Sequence, residues 1–283
     1  MAKPFIAVDW GTTNRRAFLI EGGAVSRVER EPRGASALTP ADYPAELAAL
    51  RDRLGNWPVL MAGMVGSTIG WQTVPYRPLP VDMAALAQGI LRVDDHTAIV
   101  PGLSQADPAD VMRGEEVQLL GAHAAGLVPA DALLCQPGTH CKWATLRGGT
   151  LVAFSTAMTG ELFALARKHS ILSSMLDGPV ADGPSFRAGV ADGVERGVAT
   201  GLFGVRARAL LHGAADGAAY ASGVLIGADV APHVRSGPIH ILADEALGSL
   251  YRAAAEALGG QAVLVDSEAA FVAGMNRLWE LAS

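Results

Sequence analysis

An α/β fold built from two similar lobes is predicted by three features of the 283-residue chain. Short apolar runs alternate with amphipathic stretches of helical length. A three-strand meander opens each half, and after each meander helices and strands alternate, as they do when parallel strands join a sheet through crossover helices. Half of the residues are hydrophobic and 18% are charged, which supplies apolar material for one large domain or two smaller ones.

In the first half, strands fall at 5–8, 16–20 and 24–29, separated by glycine and polar residues. A helix at 41–53, a strand at 59–62, a helix at 83–91, a strand at 97–100 and a helix at 113–125 follow. The second half repeats the order with strands at 132–136, 142–146 and 150–154, then helical segments from 161 and over 189–211. Strands at 224–226 and 239–242, a helix at 245–258, a strand at 262–265 and a helix at 268–281 complete it. The expected lobes are 1–130, completed by the last helix at 267–283, and 131–266. Two duplicated α/β lobes are expected to face each other across a cleft, where ligands tend to bind.

Charge and hydropathy exclude several partners. The chain carries 28 acidic and 22 basic side chains, a formal charge of −6, without the basic stripe that draws a phosphate backbone, so no nucleic acid is expected. Mean hydropathy is +0.27, but the apolar runs are far shorter than the ~20 residues that span a bilayer. No membrane association is expected, and Met1-Ala2-Lys3-Pro4 runs straight into the first strand without a secretory pattern, so the expected location is cytoplasmic. Cys135 and Cys141 flank a Pro-Gly turn and are expected as reduced thiols. The assembly state is left open, a homodimer included.

The sharpest chemical signal is Asp9-Trp10-Gly11-Thr12-Thr13-Asn14-Arg15 between the first two strands. Glycine and hydroxylated residues in a tight hairpin present N–H and O–H groups to an anion, and a carboxylate at a strand end holds a hydrated magnesium ion. Gln136-Pro137-Gly138-Thr139-His140-Cys141-Lys142-Trp143 occupies the equivalent place in the second half. The only lysines are Lys3, Lys142 and Lys168, none after glycine, so there is no Walker P-loop; no dinucleotide turn is present either.

Five segments then carry a family resemblance. They are Asp9 to Ala17; Gly63-Met64-Val65-Gly66-Ser67 with Gly70-Trp71 and Pro75-Tyr76; Met112-Arg113-Gly114-Glu115-Glu116-Val117-Gln118; Pro137-Gly138-Thr139-His140 with Lys142-Trp143; and Phe154 to Leu162. Together they resemble the 2-dehydro-3-deoxygalactonokinase family, nearly end to end and in order. The resemblance implies two ribonuclease H-like lobes of the actin, hexokinase and heat-shock chaperone superfamily with an interlobe cleft. It also implies phosphorylation by ATP and Mg2+ of the 6-hydroxyl of 2-dehydro-3-deoxy-D-galactonate, a small sugar acid. The second loop departs from the superfamily pattern at Gln136 and Pro137, which removes its usual acidic residue. Rival readings are another sugar acid as acceptor, water as acceptor, or an ATP-binding switch without chemistry.

Roles follow from what phosphoryl transfer needs. Gly11, Thr12, Thr13, Gly138, Thr139 and His140 are candidates for the ATP phosphates, and Asp9 for the metal. Glu116 leads as general base, since the Gly-Glu-Glu helix start looks like the acidic segment of the exopolyphosphatases; Glu115 and Asp9 compete with it. Arg15, Arg113 and Lys142 are the motif cations for the substrate carboxylate, with Arg15 and Lys142 equally suited to phosphate. Asn14, Gly63, Met64, Gly66, Ser67, Trp143, Thr156, Thr159 and Glu161 are further substrate candidates. Trp71 and Tyr76 either cover the sugar or pack locally, and Gly223 and Gly227 are candidates for adenosine.

Overall fold

A computed structural model describes residues 3–282, and the chain divides into two compact units. The first comprises Met1–Asp131, Thr145–Phe154 and Ser267–Ser283, the second Ala132–Ala144 and Ser155–Asp266. The hairpin end Thr145–Phe154 thus groups with the first unit, although it belongs to the second meander in sequence.

The first unit begins with β1 (Phe5–Trp10), β2 (Arg15–Glu21), β3 (Ala24–Glu31), α1 (Tyr43–Leu54) and β4 (Val59–Gly63). Then come β5 (Arg77–Pro78), α2 (Met83–Ala87), β6 (Leu91–Asp94), β7 (Thr97–Ile99), β8 (Leu103–Gln105), β9 (Asp110–Met112) and α3 (Glu115–Ala124). Its main sheet has the order β3-β2-β1-β4-β7-β6, and β5, β8 and β9 form a small second sheet. β1 runs antiparallel to β2 and parallel to β4. Val8, Trp10, Met61, Leu47 and Leu50 form part of one buried cluster. Phe18 meets Phe271 of the last helix at 5.6 Å between ring centroids.

The second meander is β10 (Ala132–Gln136), β11 (Cys141–Arg147) and β12 (Thr150–Ala157). It leads to α4 (Thr159–His169), α5 (Pro184–His212), α6 (Gly217–Val230), β13 (Ile239–Ala243), α7 (Glu245–Ala257), β14 (Ala262–Asp266) and α8 (Ser267–Ala282), the last belonging to the first unit. The sheet order β12-β11-β10-β13-β14 repeats the meander-then-crossover order of the first, and β13 lies parallel to both neighbours. Among the described residues, no helix is long and apolar enough to cross a membrane.

Two expectations are corrected, and one small sheet is new. Residues 224–226 are not a strand but the middle of α6. A three-residue apolar run between glycines carries no period of its own, and packing decides: a Cβ on Gly223 or Gly227 would collide with the α5 backbone at Phe186 or Val190. The helix expected at 83–91 is capped by Asp82, whose carboxylate accepts the Ala85 N–H, and stops at Ala87 before the unforeseen strand β6. The small sheet of β5, β8 and β9 was also unforeseen, because strands of two or three residues show no alternation.

Candidate active site

The hairpin between β1 and β2 is held from behind. Carbonyls of Gly11, Thr12 and Thr13 accept the N–H groups of Ala35, Ser36 and Gly34 at 2.9, 3.0 and 2.9 Å. With these acceptors engaged, Thr12, Thr13 and Asn14 stand exposed at the hairpin tip, and donors are what an anionic ligand requires there. A cavity of about 580 Å³ opens beside them, lined by Asp9, Gly11, Thr13, Asn14, Arg16 and Arg30 among others.

Arg15 and Arg16 part company on β2 because successive side chains of a strand point to opposite faces. Arg15 is 1% exposed, ion-paired with Glu31 at 2.5 Å and Glu46 at 3.1 Å, with its guanidinium 4.7 Å from the Trp10 ring centroid. Two carboxylates therefore already balance this cation. Arg33 also pairs with Glu46, and its hydrogen bond holds that carboxyl below the usual range. Arg16 instead pairs with Asp9, its cross-strand partner, through Nε at 3.1 Å and Nη2 at 2.5 Å to the same oxygen. Sequence reasoning passed over Arg16, although strand alternation alone puts it on the Asp9 side.

The ends of β1 and β4 and the start of α3 converge. Gly63 adopts φ 93° and Gly114 φ 108°, a region that only glycine enters cheaply. A Cβ on Gly63 would come within 2.6 Å of the Trp10 carbonyl, and one on Gly114 within 3.2 Å of the Gly63 Cα. Glu115 and Glu116 open the helix here. Glu116 is fully buried, and both of its carboxylate oxygens accept the Gly114 N–H, at 2.9 and 2.7 Å. Burial, reinforced by the neighbouring Glu115, pushes its carboxyl up to about 8. The expectation that Glu116 leads as base meets this geometry: its oxygens are turned onto its own helix start and sealed from solvent. Glu115 is half-buried and accepts the Arg113 N–H at 3.1 Å.

Arg113 is 9% exposed. Its Nη2 donates to the Val74 carbonyl at 2.7 Å and its guanidinium lies 4.4 Å from the Tyr76 ring centroid. Its Nε and Nη1 are buried without an acceptor among the described residues. A Cβ on Gly66 would lie 2.8 Å from Nη1, so glycine there lets the guanidinium approach the 63–67 turn. Ser67 folds back on the Met64 carbonyl at 2.7 Å. Trp71 stacks on Tyr43 at 5.8 Å and belongs to the core packing on that side, whereas Tyr76 is 40% exposed.

In the second unit, the loop after β10 rests on the first turn of α4. The Glu161 N–H donates to the Thr139 carbonyl at 2.9 Å, and Glu161 Oε2 lies 2.6 Å from His140 Nε2. Lys142 is buried with Nζ donating to Thr156 at 2.9 Å. Trp143, 3% exposed, donates through Nε1 to Asp229 at 2.8 Å and stacks on His233, which makes it a packing residue. Cys135 and Cys141 are unbridged, their sulfurs 3.6 Å apart, and burial raises both thiols. A pocket of about 80 Å³ is lined by Gly138, Thr159, Gly160, Ser222, Leu225 and Tyr251, with Phe163, Ile226 and Leu247. Gly223 and Gly227 pack against α5 and do not line it.

Residues 9–278 match the family model described as 2-keto-3-deoxy-galactonokinase. This chain belongs to the 2-keto-3-deoxy-galactonokinase family. Among relatives of the family, the 2-dehydro-3-deoxygalactonokinase of Escherichia coli K12 is 35% identical over 98% of both chains. A Rhizobium meliloti protein provisionally given the same name is 40% identical over 96% of this chain and 95% of its own. The crystal structure of a Sinorhizobium meliloti protein, also provisionally so named, superposes with a TM-score of 0.90 at 34% identity, covering 97% of each chain. At 13% identity and a TM-score of 0.54 over 99% of both chains, component A of Acidaminococcus fermentans (R)-2-hydroxyglutaryl-CoA dehydratase shares the fold alone. The activator of the Clostridium difficile 2-hydroxyisocaproyl-CoA dehydratase likewise shares the fold of this galactonokinase-family chain, at 14% identity and a TM-score of 0.52.

Proposed function

We propose that this chain transfers the γ-phosphoryl group of ATP to the 6-hydroxyl of 2-dehydro-3-deoxy-D-galactonate, giving the 6-phosphate in galactonate degradation in the cytoplasm. The supporting observation is the β1–β2 hairpin, strapped from behind with its hydroxylated tip exposed, in a chain that belongs to a sugar-acid kinase family.

Asp9 is the carboxylate for magnesium. A hard divalent ion that keeps several waters needs one or two carboxylates besides phosphate oxygens, and the Asp9 carboxylate borders the cavity, where Arg16 is its ion-pair partner. When bound, the ion neutralises charge on the phosphates. The amides and hydroxyls of Thr12 and Thr13 bind phosphate oxygens, Gly11, whose N–H is held by the Asn14 carbonyl at 2.9 Å, leaves room beside them for the phosphate, and Arg16, exchanged from Asp9, places its guanidinium on the transferring group. Gly138, Thr139 and His140 serve phosphate in the second unit, where Leu225, Ile226 and Tyr251 offer an apolar wall to the nucleoside.

Glu115 accepts the proton of the attacking hydroxyl, being the helix-start carboxylate that is not sealed. Arg113 takes the substrate carboxylate: two buried N–H donors without acceptors among the described residues carry a desolvation cost that a carboxylate relieves. Arg15 is excluded from that role by Glu31 and Glu46. Tyr76 borders the same guanidinium, while Ser67, Asn14, Thr156 and Glu161 supply further polar contacts to ligand.

An ADP-release assay with 2-dehydro-3-deoxygalactonate, its gluconate epimer and no acceptor tests the reading. Turnover with the galactonate derivative well above the other two is expected. Equal release without acceptor would overturn it in favour of an ATPase.

A further inference from the structure

Asp229 lies outside every motif above, yet its carboxylate joins four elements of the second unit. From α6 it accepts the Trp143 Nε1–H of β11 at 2.8 Å on Oδ1. On Oδ2 it accepts the Thr159 hydroxyl, the first residue of α4, at 2.7 Å, and the Tyr251 hydroxyl of α7 at 3.1 Å. Ser222, Leu225, Ile226 and Asp229 follow at spacings of three and four, so they share one face of α6. That face carries the pocket wall, and Thr159 and Tyr251 are two more of its lining residues.

The start of α4 explains why this anchor matters. Met158 at the N-cap makes no side-chain capping bond, so the helix start lacks the usual local fastening. Its first turn nevertheless carries the 137–140 loop: Gly160 lies against the Gly138–Thr139 backbone and the Glu161 N–H holds the Thr139 carbonyl. Thr159 is the link between that turn and α6. The loop is thus positioned by α4, and α4 by Asp229.

We infer that Asp229 is a positioning residue for nucleotide binding, fixing the 137–140 loop through Thr159 and the opposite pocket wall through Tyr251. The inference rests on the reading of this pocket as the nucleoside site, and its test measures binding directly. Calorimetry with ADP and a nonhydrolysable ATP analogue is run on wild type, Asp229→Ala, Thr159→Val and the double variant. A rise in nucleotide Kd of about tenfold or more is expected for Asp229→Ala. Thr159→Val should reproduce most of it, and the double variant should be no weaker than Asp229→Ala. For Asp229→Ala, KM for the sugar acid should stay within about twofold, a split that general loosening of the fold would not produce. Asp229→Asn, which still accepts from Trp143 and can donate to the two hydroxyl oxygens, should recover most of the affinity. If Asp229→Ala folds and binds nucleotide within twofold of wild type, the inference is overturned; if it does not fold, unchanged binding by Thr159→Val overturns it instead. A wild-type protein that phosphorylates the sugar acid while Tyr251→Ala and Leu225→Ala leave nucleotide Kd unaltered would overturn the parent assignment of the pocket, a result distinct from either.

Discussion

Arg16 places both Nε and Nη2 on a single oxygen of Asp9, at 3.1 and 2.5 Å, leaving the other carboxylate oxygen outside this pair. The pairing follows from β-sheet register, in which the two residues stand directly opposite on β1 and β2. A metal-bound nucleotide brings both a cation for Asp9 and anionic oxygens for Arg16, so each partner of the pair has a replacement. Both side chains remain partly open to solvent, at 16% and 32%, so the exchange does not require unfolding the hairpin.

The first prediction follows from that exchange. Asp9→Asn keeps an acceptor for Arg16 and should fold normally, yet lose at least about 100-fold in kcat with its magnesium dependence shifted to higher concentration. Arg16→Ala should raise KM for ATP and lower kcat together. Steady-state kinetics across a magnesium titration checks both. A kcat for Asp9→Asn within threefold of wild type, under ~0.7 kcal/mol in the barrier, would remove Asp9 from the reaction.

A second concerns the paired glutamates. Removing a general base typically costs 10²–10⁴ in rate, and that loss is expected for Glu115→Gln, with ATP affinity little changed. Glu116→Gln should retain turnover within about tenfold, because an amide oxygen still accepts the Gly114 N–H. The reverse order of effects would return the base to Glu116.

Burial of Glu116 also predicts a pH dependence of stability. Its carboxyl rises from 4.5 to about 8 on folding, so the folded state holds this proton more tightly than the unfolded chain. The stabilisation is complete below about pH 4.5 and is lost progressively as pH rises from there through about 8. The loss is at most on the order of 5 kcal/mol. Glu116→Gln, which has no proton to lose, should match wild type near pH 4.5 and exceed it at pH 8 in chemical denaturation. Parallel stability curves for the two proteins across that interval would show that Glu116 keeps its charge in the fold.

Arg113 yields a specificity prediction. Arg113→Met should raise KM for the sugar acid by roughly 10- to 100-fold and leave KM for ATP unchanged, since a charged hydrogen-bond partner is lost on one substrate only. Arg113→Lys should recover little, because an ammonium group cannot replace a planar two-donor fork. Equal effects on both substrates would instead indicate a collapsed 63–67 turn, against which the guanidinium packs.

Local sequence was sufficient for the two meanders and the crossover strands β4 and β13, because each is a short apolar run bounded by glycine or polar residues. It was also sufficient for the Asp9 to Asn14 hairpin, whose glycine and threonines are adjacent in the chain, and for membership of a sugar-acid kinase family. It did not separate α6 from a strand at 224–226, since what selects the helix is the fit of Gly223 and Gly227 against Phe186 and Val190 of α5, far upstream in the chain. Nor did it separate the two arginines of β2 or the two glutamates of α3, although each pair is adjacent in sequence. Arg15 is neutralised by Glu31 and Glu46, Arg16 is held by Asp9, Glu116 is buried and Glu115 is not. Residue type and spacing define which groups are available for chemistry; burial and long-range pairing, which exist only after the chain has folded, select among neighbours of the same type.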